Sequence, residues 1–236
     1  MTHDGVLVVA AEARELAGIL RRCQNRRRLD WPLDGAWEVE LGGTRLWLVA
    51  GGHGQRLAQR AVDWALRHIS PATLISAGFC GALDPTLHPG DVLVATRVVR
   101  AEDGTAYEAS PLQAKLPHAV GVVLSCDAVV REVEEKSRFW AAGWAVVEME
   151  AAAVAAAAAA AGLPFAAVKV VVDAAWEPLR VDFNAARNGD GRIVPWRVLA
   201  GALRRPGTEL PELWRFYRRC RPAAERLGEF LGACRF

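Results

Sequence analysis

The chain has 236 residues, about half apolar (52%) and a quarter charged (24%), an ordinary composition for a soluble globular protein with a real core. A formal charge of +2 gives no reason to expect a nucleic-acid partner, and no apolar stretch of membrane-spanning length is free of charges or Gly/Pro breaks. Five scattered cysteines (Cys23, Cys80, Cys126, Cys220, Cys234) form no CxxC pair and no Cys/His cluster, so they read as reduced cytoplasmic thiols with no metal site.

The segment Met1–Gly5 is polar and does not read as a signal peptide. Val6–Ala10 is a short apolar run of the kind found in buried parallel strands. Helical spacing follows from Glu12 to Cys23, with Leu16, Ile19 and Leu20 on one face, and Arg21–Arg28 reads as the solvated end of that helix. Trp37–Leu41 and Thr44–Ala50 flank Gly42-Gly43 and predict a hairpin. Gly51-Gly52-His53-Gly54 leads into a helix over Gln55–His68. A strand at Thr73–Ala77 runs into a Gly-rich turn, Gly78-Phe79-Cys80-Gly81. Further strands are predicted at Val92–Val99, Val120–Leu124, Trp144–Val147 and Phe165–Val172. The Ala-rich stretch Glu148–Ala161 is a helix that stops at Gly162, with Pro164 just beyond. Residues 174–208 are rich in Gly, Pro and Arg; they read as a long loop with short helices, either a lid or a surface excursion. The alternation of strands and helices predicts one α/β domain over residues 1–236, a three-layer α/β/α sandwich with a mixed central sheet.

Acidic residues stand after three of the predicted strands: Glu15, the pair Glu148 and Glu150, and Asp173. In open α/β sheets ligands bind beyond the carboxyl ends of strands, so these are site candidates, although each alone could simply cap the next element.

Three segments taken together resemble a known family. Ser76-Ala-Gly-Phe-Cys-Gly-Ala-Leu-Asp-Pro-Thr-Leu-His-Pro-Gly-Asp91 resembles the Gly-rich signature of the purine nucleoside phosphorylase and nucleosidase superfamily. Val147-Glu-Met-Glu150 resembles its ribose-binding motif, and Val168–Asp173 resembles the strand that carries its catalytic Asp. Order and separation of the segments resemble methylthioadenosine/S-adenosylhomocysteine nucleosidases as far as about residue 176. Beyond it, Ala202-Leu-Arg-Arg-Pro-Gly and Leu210-Pro-Glu-Leu213 resemble the tail of hopanoid-associated phosphorylases, a branch of the same superfamily.

The resemblance implies cleavage of the N-glycosidic bond of a 5′-substituted adenosine-type nucleoside, with no metal or organic cofactor and a homodimeric assembly. It implies that Asp173 protonates N7 of the leaving base, which requires a raised pKa. It implies that Glu150 holds the ribose hydroxyls, that Met149 packs beneath the sugar, and that Glu15 orients the attacking water. Glu148, Phe79, Cys80, Gly81, Val129 and Val172 fall beside the substrate in the same matching. Related phosphorylases carry an Arg in the loop of Glu15, and Arg14 lies one residue away. A phosphate could then be held by Arg14 with Gly54 and Arg56, so water and phosphate both stand as nucleophiles, water being favoured by the gapless matching. A nucleoside-binding protein without catalysis is the reading of another class.

The chain departs from the nucleosidase pattern at the base. Ser125-Cys-Asp-Ala128 is followed by Val129 where an aromatic residue is usual, Val172 stands where Ser precedes the catalytic Asp, and Phe79 replaces a small polar residue. Trp176 is a candidate to restore an aromatic wall. The segment Glu209–Leu231 shows a helical apolar stripe, kinked at Pro222, with Arg on its other faces. It packs on its own domain or, through Trp214, Phe216 and Tyr217, touches a membrane surface weakly.

Overall fold

A computed structural model describes residues 4–236. Val6–Ala10 is strand β1, buried along its whole length. Then come α1 (Ala17–Arg22), β2 (Gln24–Arg28), β3 (Gly35–Leu41), β4 (Thr44–Ala50) and α2 (Gln55–Leu66), followed by β5 (Thr73–Ala82), β6 (Val92–Arg100), β7 (Ala106–Glu108) and β8 (Ala119–Ser125). The last third holds α3 (Val133–Ala141), β9 (Val146–Glu148), α4 (Ala151–Ala161), β10 (Phe165–Asp173), α5 (Pro195–Ala202) and α6 (Pro206–Ala233).

The strands form one mixed sheet in the order β10-β6-β8-β9-β5-β1-β4-β3-β2, with β7 on β6. Strand β10 also pairs with β5, parallel, so β5, β9, β8, β6 and β10 close into a ring at one end of the sheet. Alternation along β1 assigns its two faces. Leu7 and Val9 join a core with Val62 of α2 and Val154 of α4. Val6, Val8 and Ala10 join a second core with Ile19 of α1 and Leu227 and Phe230 of α6. The result is the expected α/β/α layering. Helix α4 is almost all Ala, which suits a close approach, and it ends at Gly162 in the left-handed conformation (φ 65°) that a C-cap glycine adopts without strain.

Several elements differ from the sequence reading, each for a local reason. The helix expected over Glu12–Cys23 begins only at Ala17. Residues 12–16 turn instead, because the Glu15 carboxylate accepts the Glu12 N–H at 2.8 Å, a local bond that competes with helix. Of the arginine run only Arg21 and Arg22 end the helix; Gln24–Arg28 is an exposed edge strand paired antiparallel to β3, with Arg27 ion-paired to Glu38 and Asn25 bonded to Glu40. Cross-strand charge pairs hold it where no apolar alternation could announce it. The Gly-rich segment is no turn, since Gly78 to Gly81 continue β5 and pair with Lys169 to Asp173 of β10. Helix α3 and strand β7 have no counterpart in the sequence reading.

Helix α6 runs unbroken through Pro211 and Pro222. Most of its stripe is buried on its own chain: Leu213, Cys220, Ala224, Leu227 and Leu231 are covered, while Trp214 stays exposed. No helix of the described residues is long and apolar enough to cross a membrane. The seam between α6 and α1 depends on two glycines. A Cβ on Gly18 would lie 1.9 Å from the Ala224 carbonyl oxygen, and one on Gly228 would lie 2.2 Å from the Gly18 carbonyl carbon. Gly18→Ala should therefore lower stability. Better helix propensity returns about 1 kcal/mol, but forcing two backbones apart in a packed seam costs about 1–3 kcal/mol or more. A urea midpoint equal to or above that of the parent would refute this reading of the seam.

Candidate active site

A cavity of about 970 Å³, counted to its open mouth, lies where β5, β9 and β10 end. Glu15, Glu150 and Asp173, each about 95% buried, line it together. Two glycines of β5 make room for two of these carboxylates. A Cβ on Gly78 would stand 2.9 Å from Glu15 Oε1, and a Cβ on Gly81 would stand 2.9 Å from Asp173 Oδ2. The Gly-rich signature thus serves as a strand whose missing side chains let acids approach from two neighbouring elements.

Glu15 accepts hydrogen bonds from the Phe79 N–H on Oε1 and from the Glu12 N–H on Oε2, both at 2.8 Å. Burial pushes its carboxyl up, and these two backbone donors oppose that shift. Glu150 accepts the Gly54 N–H at 2.8 Å. Its carboxyl is also raised, first by burial and then by the neighbouring Glu148 carboxylate. Asp173 is raised by burial against the pull of the Lys136 ammonium, whose Nζ lies 2.6 Å from Oδ2. A carboxyl held up in this way can carry a proton at the end of a strand.

Glu148 lines the cavity, but its oxygens are committed elsewhere. They accept the N–H groups of Glu150 and Ala151 at 3.0 Å and pair with Lys169 at 2.7 Å. A carboxylate there neutralises the open N–H groups at the start of α4. Lys169, buried and bonded also to Ser76 Oγ at 2.9 Å, supplies the countercharge. Glu148 thereby holds the Met149-Glu150 turn in place. Met149, Phe79, Cys80, Gly81, Val129 and Val172 all line the cavity.

The three residues considered for phosphate do not converge. Gly54 spends its N–H on Glu150. The Arg56 guanidinium bonds the Asp190 carbonyl, and Arg56 is not among the cavity residues. Arg14 alone reaches the wall, where it is ion-paired to Glu12 and stacked 5.0 Å over the Tyr217 ring. His53 also lines the cavity, with Nε2 3.3 Å from Glu12 Oε1, and burial lowers its pKa. Five carboxyl groups (Glu12, Glu15, Glu148, Glu150, Asp173) line the cavity, but Glu12 is paired with Arg14, Glu148 with Lys169 and Asp173 with Lys136, so among the described residues Glu15 and Glu150 are the two held there without an ion pair. An ionised carboxylate at such a wall favours a developing cation over a phosphate dianion.

Trp176 does not form the aromatic wall; it is half-exposed and meets His88 edge-on. Aromatic side chains come instead from Phe183 in the long loop after β10 and from Phe216 and Tyr217 on α6, which line the cavity together with Phe79. The loop is therefore a packed cover and not a surface excursion. Val181, Phe183 and Ala186 form a small core with Val198, Ala202 and Leu213, and the Asn184 amide bonds both the N–H and the carbonyl of Val129.

Sequence reasoning missed Lys136 and Arg219. Lys136 is the single buried residue of α3, a helix that also carries Val133, Phe139 and Trp140. Its signal was a cation three residues after Val133 and three before Phe139, on the apolar side of a short helix. Arg219 clamps Glu177 through both guanidinium nitrogens, at 2.5 and 2.8 Å, and so ties α6 to the turn that follows Asp173.

Comparison with known proteins adds to this geometry. Residues 34–115 and 105–190, together about two thirds of the chain, match the family model described as Phosphorylase superfamily. The fold is shared with S-adenosylhomocysteine nucleosidase from Streptococcus pyogenes, solved with 5-methylthiotubericidin: TM-score 0.75 at 20% identity, over 99% of this chain and 96% of that one. It is shared as well with 5′-methylthioadenosine/S-adenosylhomocysteine nucleosidase from Neisseria meningitidis, solved with methylthio-immucillin-A (TM-score 0.74, 21% identity, 98% and 97% covered). Futalosine hydrolase from Helicobacter pylori has the same fold, with TM-score 0.72, 16% identity, and 98% and 97% covered.

Proposed function

The chain belongs to the phosphorylase superfamily, and from that premise we propose that it hydrolyses the N-glycosidic bond of a 5′-substituted adenosine-type nucleoside and releases adenine. The observation that carries the reading is the convergence of buried Glu15, Glu150 and Asp173 on one cavity. Breaking the C1′–N9 bond leaves positive charge on the sugar and negative charge on the base. Asp173 gives its proton to N7, so the bond's electron pair leaves on a neutral base. Glu150, protonated or ionised, hydrogen-bonds the ribose hydroxyls. Glu15 takes the proton of the water that attacks C1′, and its charge stabilises the cationic sugar. The aromatic wall of Phe79, Phe183, Phe216 and Tyr217 supplies apolar surface for the substrate.

A phosphorolytic reaction is the second reading, and the single feature that favours it is Arg14 at the wall. Adenine release separates the two. Methylthioadenosine, S-adenosylhomocysteine, 5′-deoxyadenosine and adenosine are each incubated with the protein, with and without phosphate. The expected result is release that needs no phosphate. Release strictly dependent on phosphate would replace hydrolysis by phosphorolysis and make Arg14 the anion ligand. Silence on all four, with stabilisation by ligand, would favour a binding protein; silence without stabilisation would favour a bulkier 5′ group, with adenosylhopane the next substrate.

A further inference from the structure

Lys136 is wholly buried, and each of its three ammonium donors has one acceptor. Nζ lies 2.6 Å from Asp173 Oδ2, 3.0 Å from the Ala174 carbonyl oxygen and 2.9 Å from the Glu177 carbonyl oxygen. Three oxygens around one nitrogen match the three donors of an ammonium group. The two carbonyls belong to the turn after β10, and Arg219 of α6 braces that turn by its grip on Glu177. The cation is thus fixed from α3, β10 and the following turn at once.

We propose that Lys136 is a positioning residue for glycosidic cleavage: its ammonium holds Asp173 by Oδ2, reserves Oδ1 for the transferred proton, and stabilises the carboxylate left when that proton moves to the base. This rests on the general-acid reading of Asp173. In the step, the Oδ1–H bond breaks and an N7–H bond forms. The electron pair of the C1′–N9 bond passes to the base, and Asp173 is left as a carboxylate beside Lys136. A buried carboxylate without a partner would be a poor product of proton transfer. The short contact therefore lowers the barrier on the side where charge appears.

The groups facing Asp173 are Lys136 from α3, Cys80 from β5, Glu177 from the turn and Arg219 from α6. Of these, Lys136 gives the largest opposition to the upward shift that burial imposes. Its removal raises the Asp173 carboxyl further. The acid form is the active one, so the alkaline limb of kcat/KM then moves to higher pH while kcat falls.

The test uses Lys136→Met and Lys136→Gln, each alone and combined with Asp173→Asn. Adenine release is followed across pH, and melting temperature reports folding. Lys136→Gln keeps donors for Ala174 and Glu177 and carries the test should the Met variant not fold. Expected are a fall in kcat of about 10²-fold, a nearly unchanged KM, an alkaline limb displaced upward, and no further loss when Asp173 is already Asn. A fall in kcat with the limb unmoved, or an equal loss in the Asp173→Asn background, would make Lys136 merely structural and overturn the proposal. Full turnover in Asp173→Asn alone would instead overturn the general-acid reading on which it rests.

Discussion

Asp173→Asn removes turnover, by about 10²–10⁴-fold as expected for loss of a general acid, and leaves nucleoside binding in place. Asn has nearly the same shape. Its amide oxygen can accept from Lys136 where Oδ2 does now, at 2.6 Å, and its NH₂ can still donate to N7 of a bound base. What it lacks is a proton to give. The substitution also leaves the buried Lys136 ammonium facing a neutral group, which costs stability, although the Ala174 and Glu177 carbonyls remain as acceptors. A lowered melting temperature with intact binding and no adenine release is therefore the full expected pattern. Binding can be read from ligand-induced stabilisation, and turnover from the appearance of adenine. Unchanged turnover would remove Asp173 from the chemistry altogether.

Glu15→Gln should stop hydrolysis to a similar extent. The carboxylate now accepts two backbone N–H groups, one on each oxygen. Gln offers one acceptor oxygen, so one of the two N–H groups loses its partner, and no base is left to take the proton of water. The pH profile separates the two acids by sign. Glu15 works ionised, so activity falls as pH drops through its burial-raised pKa. Asp173 works protonated, so activity falls as pH rises through its own. The parent should give a bell-shaped profile, and Glu15→Gln should lose the acidic limb along with its rate. If this variant instead kept full, phosphate-dependent release of adenine, the water-activating role would be wrong and Arg14 would take its place as the residue to study.

Much of this arrangement was legible in the residues. Apolar runs such as Val6–Ala10 and Phe165–Val172 name buried strands because both faces of the sheet are covered. Gly162 and Pro164 mark the end of an Ala-rich helix, and Gly42-Gly43 marks a hairpin, because backbone conformation at those points is set by the residues themselves. The matching of Glu15, Met149-Glu150 and Asp173 to a family pattern picked residues that fold into one cavity. The layered α/β/α class follows from the same local signals.

What the residues could not reveal are partnerships between distant parts of the chain. The edge strand Gln24–Arg28 exists because Glu38 and Glu40 lie opposite it, a pairing that leaves no periodicity of its own. Arg14, Gly54 and Arg56 looked like a phosphate cradle in sequence. In space Gly54 is claimed by Glu150 and Arg56 by Asp190, because a donor goes to the acceptor that folding brings near. Trp176 was one candidate for an aromatic wall, yet Phe183, Phe216 and Tyr217 line the cavity from segments that only the packing of α5 and α6 brings over the site. Lys136, 37 residues before Asp173, is the plainest case. By itself the sequence determined the buried strands, the hairpin and the Ala-rich helix, and which carboxyl groups stand after the strands, since these depend on neighbours along the chain. The tertiary structure alone decided the protonation setting of those carboxyl groups, since burial and countercharge are properties of space and not of order along the chain.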